Sequence, residues 1–182
     1  VLDKSTSTWS EKTWSGLTSF NGSYIWTDGT DIYFSYGLNQ YVLNKSTSTW
    51  AAKTWSGLTN FIGDYIWTDG TDIYYSNGSS QKVLDKSTST WSEKTWSGLT
   101  SFYGNLIWTD GTNIYYSNGS TQYVLNKSTN KWSAKSWSGL TEINGNNLWT
   151  DGTDIYFSYG YQKVLDKSTP TITTTQCKPK FN

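Results

Sequence analysis

The chain has 182 residues, with 14 Lys, no Arg, 14 Asp plus Glu and no His, so its formal net charge is zero; 12 Trp, 14 Tyr and 6 Phe make it unusually aromatic, and 54 residues are Ser or Thr. With no His and one Cys it offers no His-based triad, no zinc site of the usual Cys/His kind and no intrachain disulfide, and without Arg or a positive balance it is not built to grip a phosphate backbone. No apolar run nears the roughly 20 residues that span a bilayer, and a start at Val1 without a signal peptide reads as a piece of a longer polypeptide.

Repetition organises the rest. Val1-Leu2-Asp3-Lys4-Ser5-Thr6-Ser7-Thr8-Trp9 returns at Val42, Val83 and Val124, a period of 41, and again at Val164 after 40. Residues 1–169 are therefore read as repeats starting at 1, 42, 83, 124 and 164, with 170–182 as a C-terminal strand and tail. The Trp residues form three columns: Trp9, Trp50, Trp91 and Trp132; Trp14, Trp55, Trp96 and Trp137; Trp26, Trp67, Trp108 and Trp149.

Within a repeat four short strands are predicted in chain order. Tyr24–Thr27 comes first, and Asp28-Gly29-Thr30 turns the chain into Ile32–Ser35, which Gly37 ends. Tyr41–Leu43 follows, then the turn Asn44-Lys45-Ser46-Thr47, then Thr49–Trp55 before Ser56-Gly57. The runs are rich in aromatic and β-branched residues, and no window holds a 3.6-residue apolar period, so essentially no helix is expected. One such sheet cannot bury both faces alone. Several stacked around an axis can, and a period of 40–50 residues is the blade length of propeller repeats, whereas linear solenoids usually use shorter ones.

At this point the residues resemble the kelch family, whose blades carry a Gly doublet after the second strand and an Asp-Pro-x-Thr-Asn-x-Trp type segment entering the fourth. Asn126-Lys127-Ser128-Thr129-Asn130-Lys131-Trp132 fits the second element, and Asp85-Lys86-Ser87-Thr88-Ser89-Thr90-Trp91 nearly so. The doublet position reads Tyr36-Gly37, Asn77-Gly78, Asn118-Gly119 or Tyr159-Gly160, and Leu43, Leu84 or Leu125 stands where the family has Tyr. The resemblance spans 1–169 and implies an all-β fold, a kelch-like β-propeller of four-stranded antiparallel blades with four repeats plus a partial blade. The family holds scaffolds, adaptors and a few enzymes; its copper oxidases need His ligands, which this chain lacks. The Trp-, Tyr-, Ser- and Thr-rich repeats are also similar to those of surface or virion-tail adhesion proteins, so an extracellular or virion-surface location is favoured over a cytoplasmic one.

Candidate chemistry is sparse. The Asp28-Gly29-Thr30-Asp31 unit recurs, but its second acid becomes Asn113, it lacks the alternating ligands of a calcium loop, and Asp-Gly is what a hairpin turn demands. No catalytic residue, metal or cofactor is expected. The Trp9 and Trp26 columns are expected in the core, while the Trp14 column, beside Ser15-Gly16, is equally suited to an exposed role. Five Asn-x-Ser/Thr sequons, at Asn21, Asn44, Asn77, Asn118 and Asn126, are no more than such a composition gives by chance. Thr171–Thr175 is a candidate fourth strand for the last blade, and Cys177 an inert tail thiol.

The repeats differ mainly in two places, the second–third loop and the link to the next blade, which alternation of strand direction puts on one face. The candidate ligand residues there are Asn21, Tyr24, Tyr36, Tyr41, Asp64, Lys82, Tyr103, Asn105, Tyr123, Asn144, Asn147 and Tyr161. Tyr, Asn and Lys in such a place suit a protein or glycan ligand. The expectation is a non-enzymatic binding or adhesion module with no nucleic-acid partner and no membrane span. The alternative is a structural subunit that self-associates: either Val1–Trp14 closes on Ile155–Ser158, or Val164–Thr175 completes the last blade and leaves Val1–Trp14 a half-blade with an edge to pair.

Overall fold

A computed structural model describes residues 2–3, 5–17, 19–139, 142–150, 153–159, 161–166 and 171–174. The chain divides into two compact units, Val1–Ile66 with Leu84–Ser92, and Trp67–Val83 with Glu93–Asn182. Among the described residues there is no α-helix; all regular structure is β apart from four single-turn 3₁₀ segments, Gly22–Tyr24, Gly63–Tyr65, Gly104–Leu106 and Gly145–Asn147.

The strands repeat as the period predicts. A short pair, β1 (Leu2–Asp3) and β2 (Thr8–Trp9), stands first. The first sheet follows with β3 (Ile25–Thr27), β4 (Ile32–Gly37), β5 (Asn39–Asn44) and β6 (Thr49–Ala52) in sequential antiparallel order, and β7 (Phe61–Ile62) turns back to pair with the end of β4. The second has β8 (Ile66–Thr68), β9 (Ile73–Gly78), β10 (Ser80–Asp85), β11 (Thr90–Glu93) and the returning β12 (Phe102–Tyr103). The third has β13 (Ile107–Thr109), β14 (Ile114–Gly119), β15 (Thr121–Asn126), β16 (Lys131–Ala134) and β17 (Ile143–Asn144). The last has β18 (Leu148–Thr150), β19 (Ile155–Ser158), β20 (Gln162–Asp166) and β21 (Thr171–Thr174). Of the two chain-end arrangements left open by the sequence, the second is therefore realised: β20 and β21 complete the last blade, and β1–β2 form a two-stranded sheet of their own. Cys177 and the tail beyond 174 lie outside the described residues.

Three corrections refine the elements. Second and third strands run further than predicted, because their loop is only two residues long: Tyr36 pairs with Asn39 and Asn118 with Thr121. Positive φ falls on Gly37 and Gly119 but not on the residue after them, the mark of a type II′ turn, which asks for Gly at that place. The fourth strand stops at Ala52, not Trp55. The link begins with a buried anchor, Phe61, Phe102 or Ile143, which the small return strands hold.

The second strand shows why the sheets are buried on both faces. Tyr33, Phe34 and Ser35 are all buried in succession, as are Tyr74, Tyr75 and Ser76, and Tyr115, Tyr116 and Ser117. The serines have no exposure and accept the indole N–H of the third Trp column: Trp26 Nε1 donates to Ser35 Oγ at 2.8 Å, Trp67 to Ser76 at 2.9 Å and Trp108 to Ser117 at 2.8 Å. An unpaired N–H there would cost about 1–3 kcal/mol. Trp26 also stacks on Tyr33, centroids 4.4 Å apart, and packs on Trp55 and Trp91 at 5.6 and 6.1 Å. In the other unit Trp67, Trp96, Phe102 and Trp132 pack in the same way, and Trp137, Ile143, Ile155 and Phe157 form a second cluster.

The Trp14 column is thus core, not surface: Trp55, Trp96 and Trp137 are 4–7% exposed and Trp14 half-buried. Two indoles expected in the core are open instead, Trp9 at 76% and Trp149 at 52%. Trp50 N is bonded to the Ser15-Gly16 segment, and among the described residues no like segment bonds Trp9.

Consecutive repeats are joined by that Ser-Gly segment. Trp50 N donates to Ser15 O, Trp91 N to Ser56 O and Trp132 N to Ser97 O, each at 2.8 Å, and Ser56 N donates to Ser89 O at 3.2 Å. Gly57 has φ +77, and a Cβ there would stand 1.9 Å from Trp91 O; Gly16 and Gly98 are placed alike. Lys53 lies over the Trp55 ring at 4.7 Å and donates to Ser89 Oγ at 2.9 Å, while Lys94 over Trp96 donates to Asn130 Oδ1.

The Asp-Gly turns are closed by their own side chains. Asp28 Oδ1 accepts from Thr30 N at 2.9 Å and Asp31 N at 2.7 Å, and Oδ2 accepts from the Tyr33 hydroxyl at 3.1 Å; Asp69 with Tyr74 and Asp110 with Tyr115 repeat this. Lys86 Nζ donates to Asp28 O and Lys127 Nζ to Asp69 O. Burial works against the Asp28 and Asp110 carboxylates, but the N–H groups and the Tyr hydroxyl outweigh it and hold both below the usual carboxylate range. Burial, and then the neighbouring carboxylate, push Tyr33, Tyr74 and Tyr115 above the ordinary phenol range.

Three outcomes follow from this packing. Gly57→Ala should cost on the order of 3–5 kcal/mol, through both its φ and its clash; Gly29→Ala, with φ +92 but nothing within 4 Å, should cost only about 1–2 kcal/mol, and equal losses in a denaturant titration would mean that the close approach of Gly57 to Trp91 adds nothing. Ser89 sits at φ 54 where the next repeat has Asn130 at φ 51; Ser89→Asn keeps an acceptor for Lys53 in a residue that tolerates this region, and should raise stability by about 0.5–1 kcal/mol. Because the three tyrosines hold their protons more tightly folded than unfolded, their contribution is complete below about pH 10 and is lost as pH rises beyond it. Melting temperatures measured from pH 8 to 11.5 should fall above about pH 10, and Tyr115→Phe should make that fall shallower.

Candidate functional site

In the three described Asp-Gly turns, at Asp28, Asp69 and Asp110, the first Asp accepts from its own backbone and from a Tyr hydroxyl, so these units act as turns. The other end, built from the second–third hairpin and the link, holds the residues that differ between repeats. The sequence-derived candidates fall into three groups there.

Two are structural caps: Asn21 Oδ1 accepts from Ser23 N and Asn144 Oδ1 from Asn146 N, each at 3.0 Å. Three lie in the third strands, where the two-residue hairpins keep them in the ladder. Tyr41 pairs with Phe34 and Tyr123 with Tyr116, both half-buried, and Lys82, opposite Tyr75, forms a 2.5 Å ion pair with Glu93. The rest line the ends of the sheets. In the first unit Tyr36 is 46% exposed and stacks on the half-buried Tyr24, centroids 4.5 Å apart, and Asp64 lies half-buried in its 3₁₀ turn. In the second unit Tyr103 is exposed on β12, Asn105 is half-buried in its turn, and Asn147 and Tyr161 reach a common cleft.

One cleft at these ends is about 250 Å³ in volume. Buried Ile143 and Phe157 form its floor, Tyr159 and Tyr161 its aromatic rim, and Asn118, Glu142, Asn144 and Asn147 its polar rim. Each side chain has a clear origin. β17 fixes Ile143 against Gly119 of the preceding hairpin, which places Glu142 and Asn144 on either side of the buried anchor. The one-residue deletion replaces the Ser120-Thr121 pair with Tyr161, whose carbonyl accepts from Tyr159 N at 3.0 Å and whose ring meets Phe157 at 5.9 Å. Lys163 lies 5.4 Å from the Tyr161 ring and donates to Gly139 O.

Of the twelve candidates, three line this cleft: Asn144, Asn147 and Tyr161. Glu142, Tyr159 and Asn118 were missed as candidates. The signal was present for Glu142, which replaces Ser19, Asn60 and Ser101 of the other repeats, one residue ahead of the link as delimited from sequence. Among the described residues no helix is long and apolar enough to cross a membrane.

No protein-family model and no curated protein matches the chain. Solved structures do match, among them the extracellular domain assigned to a one-component system of B. thetaiotaomicron, with a TM-score of 0.50, 14% identity and 82% of this chain covered. The match takes in 21% of that chain, so this chain spans about a fifth of its length. At this identity the likeness speaks for the fold, and with the repeated sheets it establishes an all-β propeller of four-stranded antiparallel blades.

Proposed function

We infer that the chain is a non-enzymatic binding module that meets a glycan or protein ligand with the variable ends of its blades, displayed outside a cell or on a virion. One observation carries the reading. At the invariant ends the Asp side chains and several turn carbonyls are held by backbone, Tyr or Lys, whereas the residues that change between repeats include exposed Tyr36, Tyr103, Tyr159 and Tyr161. Exposed tyrosines beside Asn and Gly are a common make-up of binding surfaces, since they add contact area at low entropic cost. The absence of His and Arg from the sequence supports a module without chemistry of its own. The blades are read as kelch-like on their Asx-Lys-Ser-Thr segments, and the extracellular neighbour is compatible with external display. Self-association is the second reading, favoured by the two-stranded β1–β2 sheet with Trp9 76% exposed, since edges of that kind pair with other chains.

The test is a glycan array and a displayed protein library, each probed with three forms of the chain: wild type, a Tyr36→Ala/Tyr103→Ala double variant, and Thr112→Ala at the opposite end. Wild type and Thr112→Ala should retain the same ligand and the double variant should lose it several-fold, all three melting within a degree or two because exposed residues contribute little to stability. Equal retention by all three would move the ligand surface off the variable ends.

A further inference from the structure

We propose that the cleft bounded by Asn118, Glu142, Asn144, Asn147, Tyr159 and Tyr161 is a subsite for one neutral or amino hexopyranose ring of a longer saccharide. The inference deepens the binding-module reading and rests on it.

Size narrows the occupant first. At about 250 Å³ the cleft lies below the roughly 300–1,000 Å³ of sites that enclose a drug-sized ligand, so it takes a single ring while the rest of the ligand runs outside. Its lining narrows the chemistry. An apolar floor and two tyrosines suit the C–H face of a pyranose, and four polar side chains around that floor are more than an apolar side chain from a protein would meet. The polar groups are also of complementary kinds. Asn144 Oδ1 is taken by Asn146 N, which leaves its amide nitrogen to donate. Exposed Glu142 has no hydrogen bond or ion pair among the described residues, and as a carboxylate it only accepts. A sugar hydroxyl does both, so neighbouring hydroxyls on one ring can satisfy Glu142 and Asn144 together.

Charge then separates the sugars. Glu142 is the carboxylate of the lining, and it opposes uronic and sialic acids while tolerating neutral and amino sugars. The nearby cation, Lys163, is half-buried and donates to Gly139 O, so it is engaged with the protein beside Tyr161. The set is also particular to this place. One repeat earlier the equivalents of Glu142, Asn147 and Tyr159 are Ser101, Leu106 and Asn118.

Saturation-transfer NMR on the full chain tests this with chitotriose, cellotriose, maltotriose and trigalacturonate as probes. At least one neutral or amino triose should bind wild type, and trigalacturonate should not. Tyr161→Ala should weaken that triose about tenfold and Glu142→Gln about threefold, as loss of an anchor and of one charge-assisted hydrogen bond imply. Tyr161→Leu serves if the alanine variant fails to fold. No bound triose, equal binding of trigalacturonate, or unchanged affinity in both cleft variants overturns the subsite. The underlying reading fails separately. A triose that survives the cleft variants but is lost in Tyr36→Ala/Tyr103→Ala overturns the subsite alone. So does a protein ligand held at the variable ends when no triose binds. Loss of every ligand class overturns both.

Discussion

No side chain fits at Gly57, and the burial of two Trp columns follows from that. A four-stranded sheet that must hide both faces gains its stability from its neighbour, and the neighbour is reached through the Ser-Gly segment. Ser56 pairs with the outer strand carrying Trp91, with backbone bonds of 2.8 and 3.2 Å. That close approach sets Trp55 against Trp26 and Trp91 and brings Lys53 over its ring. Ser97 and Gly98 do the same for Trp132. Each aromatic buries on the order of 150–250 Å², which is how a chain with only 35% apolar residues supports its core.

The same constraint governs where the sequence is free to vary. The link between blades changes at most positions, yet its glycine persists as Gly22, Gly63, Gly104 and Gly145. A Cβ at Gly63 would stand 2.2 Å from Tyr24 O, and one at Gly145 2.2 Å from Leu106 O. The residue two places earlier is a buried anchor, Phe61, Phe102 or Ile143. Variation is left to the residues between and beside these fixed points.

Period, strand order and the Asp-Gly turns were legible, because each is written in local residue patterns that recur along the chain, while the completed last blade was one of two arrangements the sequence left open. What escaped the sequence depends on contacts made far along the chain. Trp55, beside Ser-Gly at the end of its run, suits an exposed role as well as a buried one, and only the bond between Ser56 and Trp91, 35 residues on, shows that it lies inside. Tyr36, Asn39 and Gln40 looked like loop residues, but the type II′ turn needs only two residues between the strands and the ladder runs on through all three. Glu142 stands one residue ahead of the buried anchor Ile143, where the other repeats have Ser19, Asn60 and Ser101.

The position of Asn147 shows what the proposed cleft costs the fold. In the preceding repeat that place is Leu106, 7% exposed and part of a core cluster with Tyr116 and Phe102. Filling it with a leucine is worth roughly 1.5–3 kcal/mol of apolar burial, and the fourth repeat gives that up for a half-buried amide lining a cleft. The neighbouring changes run the same way: Ser101 becomes Glu142, Asn118 becomes Tyr159, and a hairpin loses a residue to bring in Tyr161. Tyr161 meets the Phe157 ring at 5.9 Å, so that change adds a contact, whereas Glu142 and Tyr159 are exposed. Where a local rule of stability is broken by several residues around one space, the space is what they have in common.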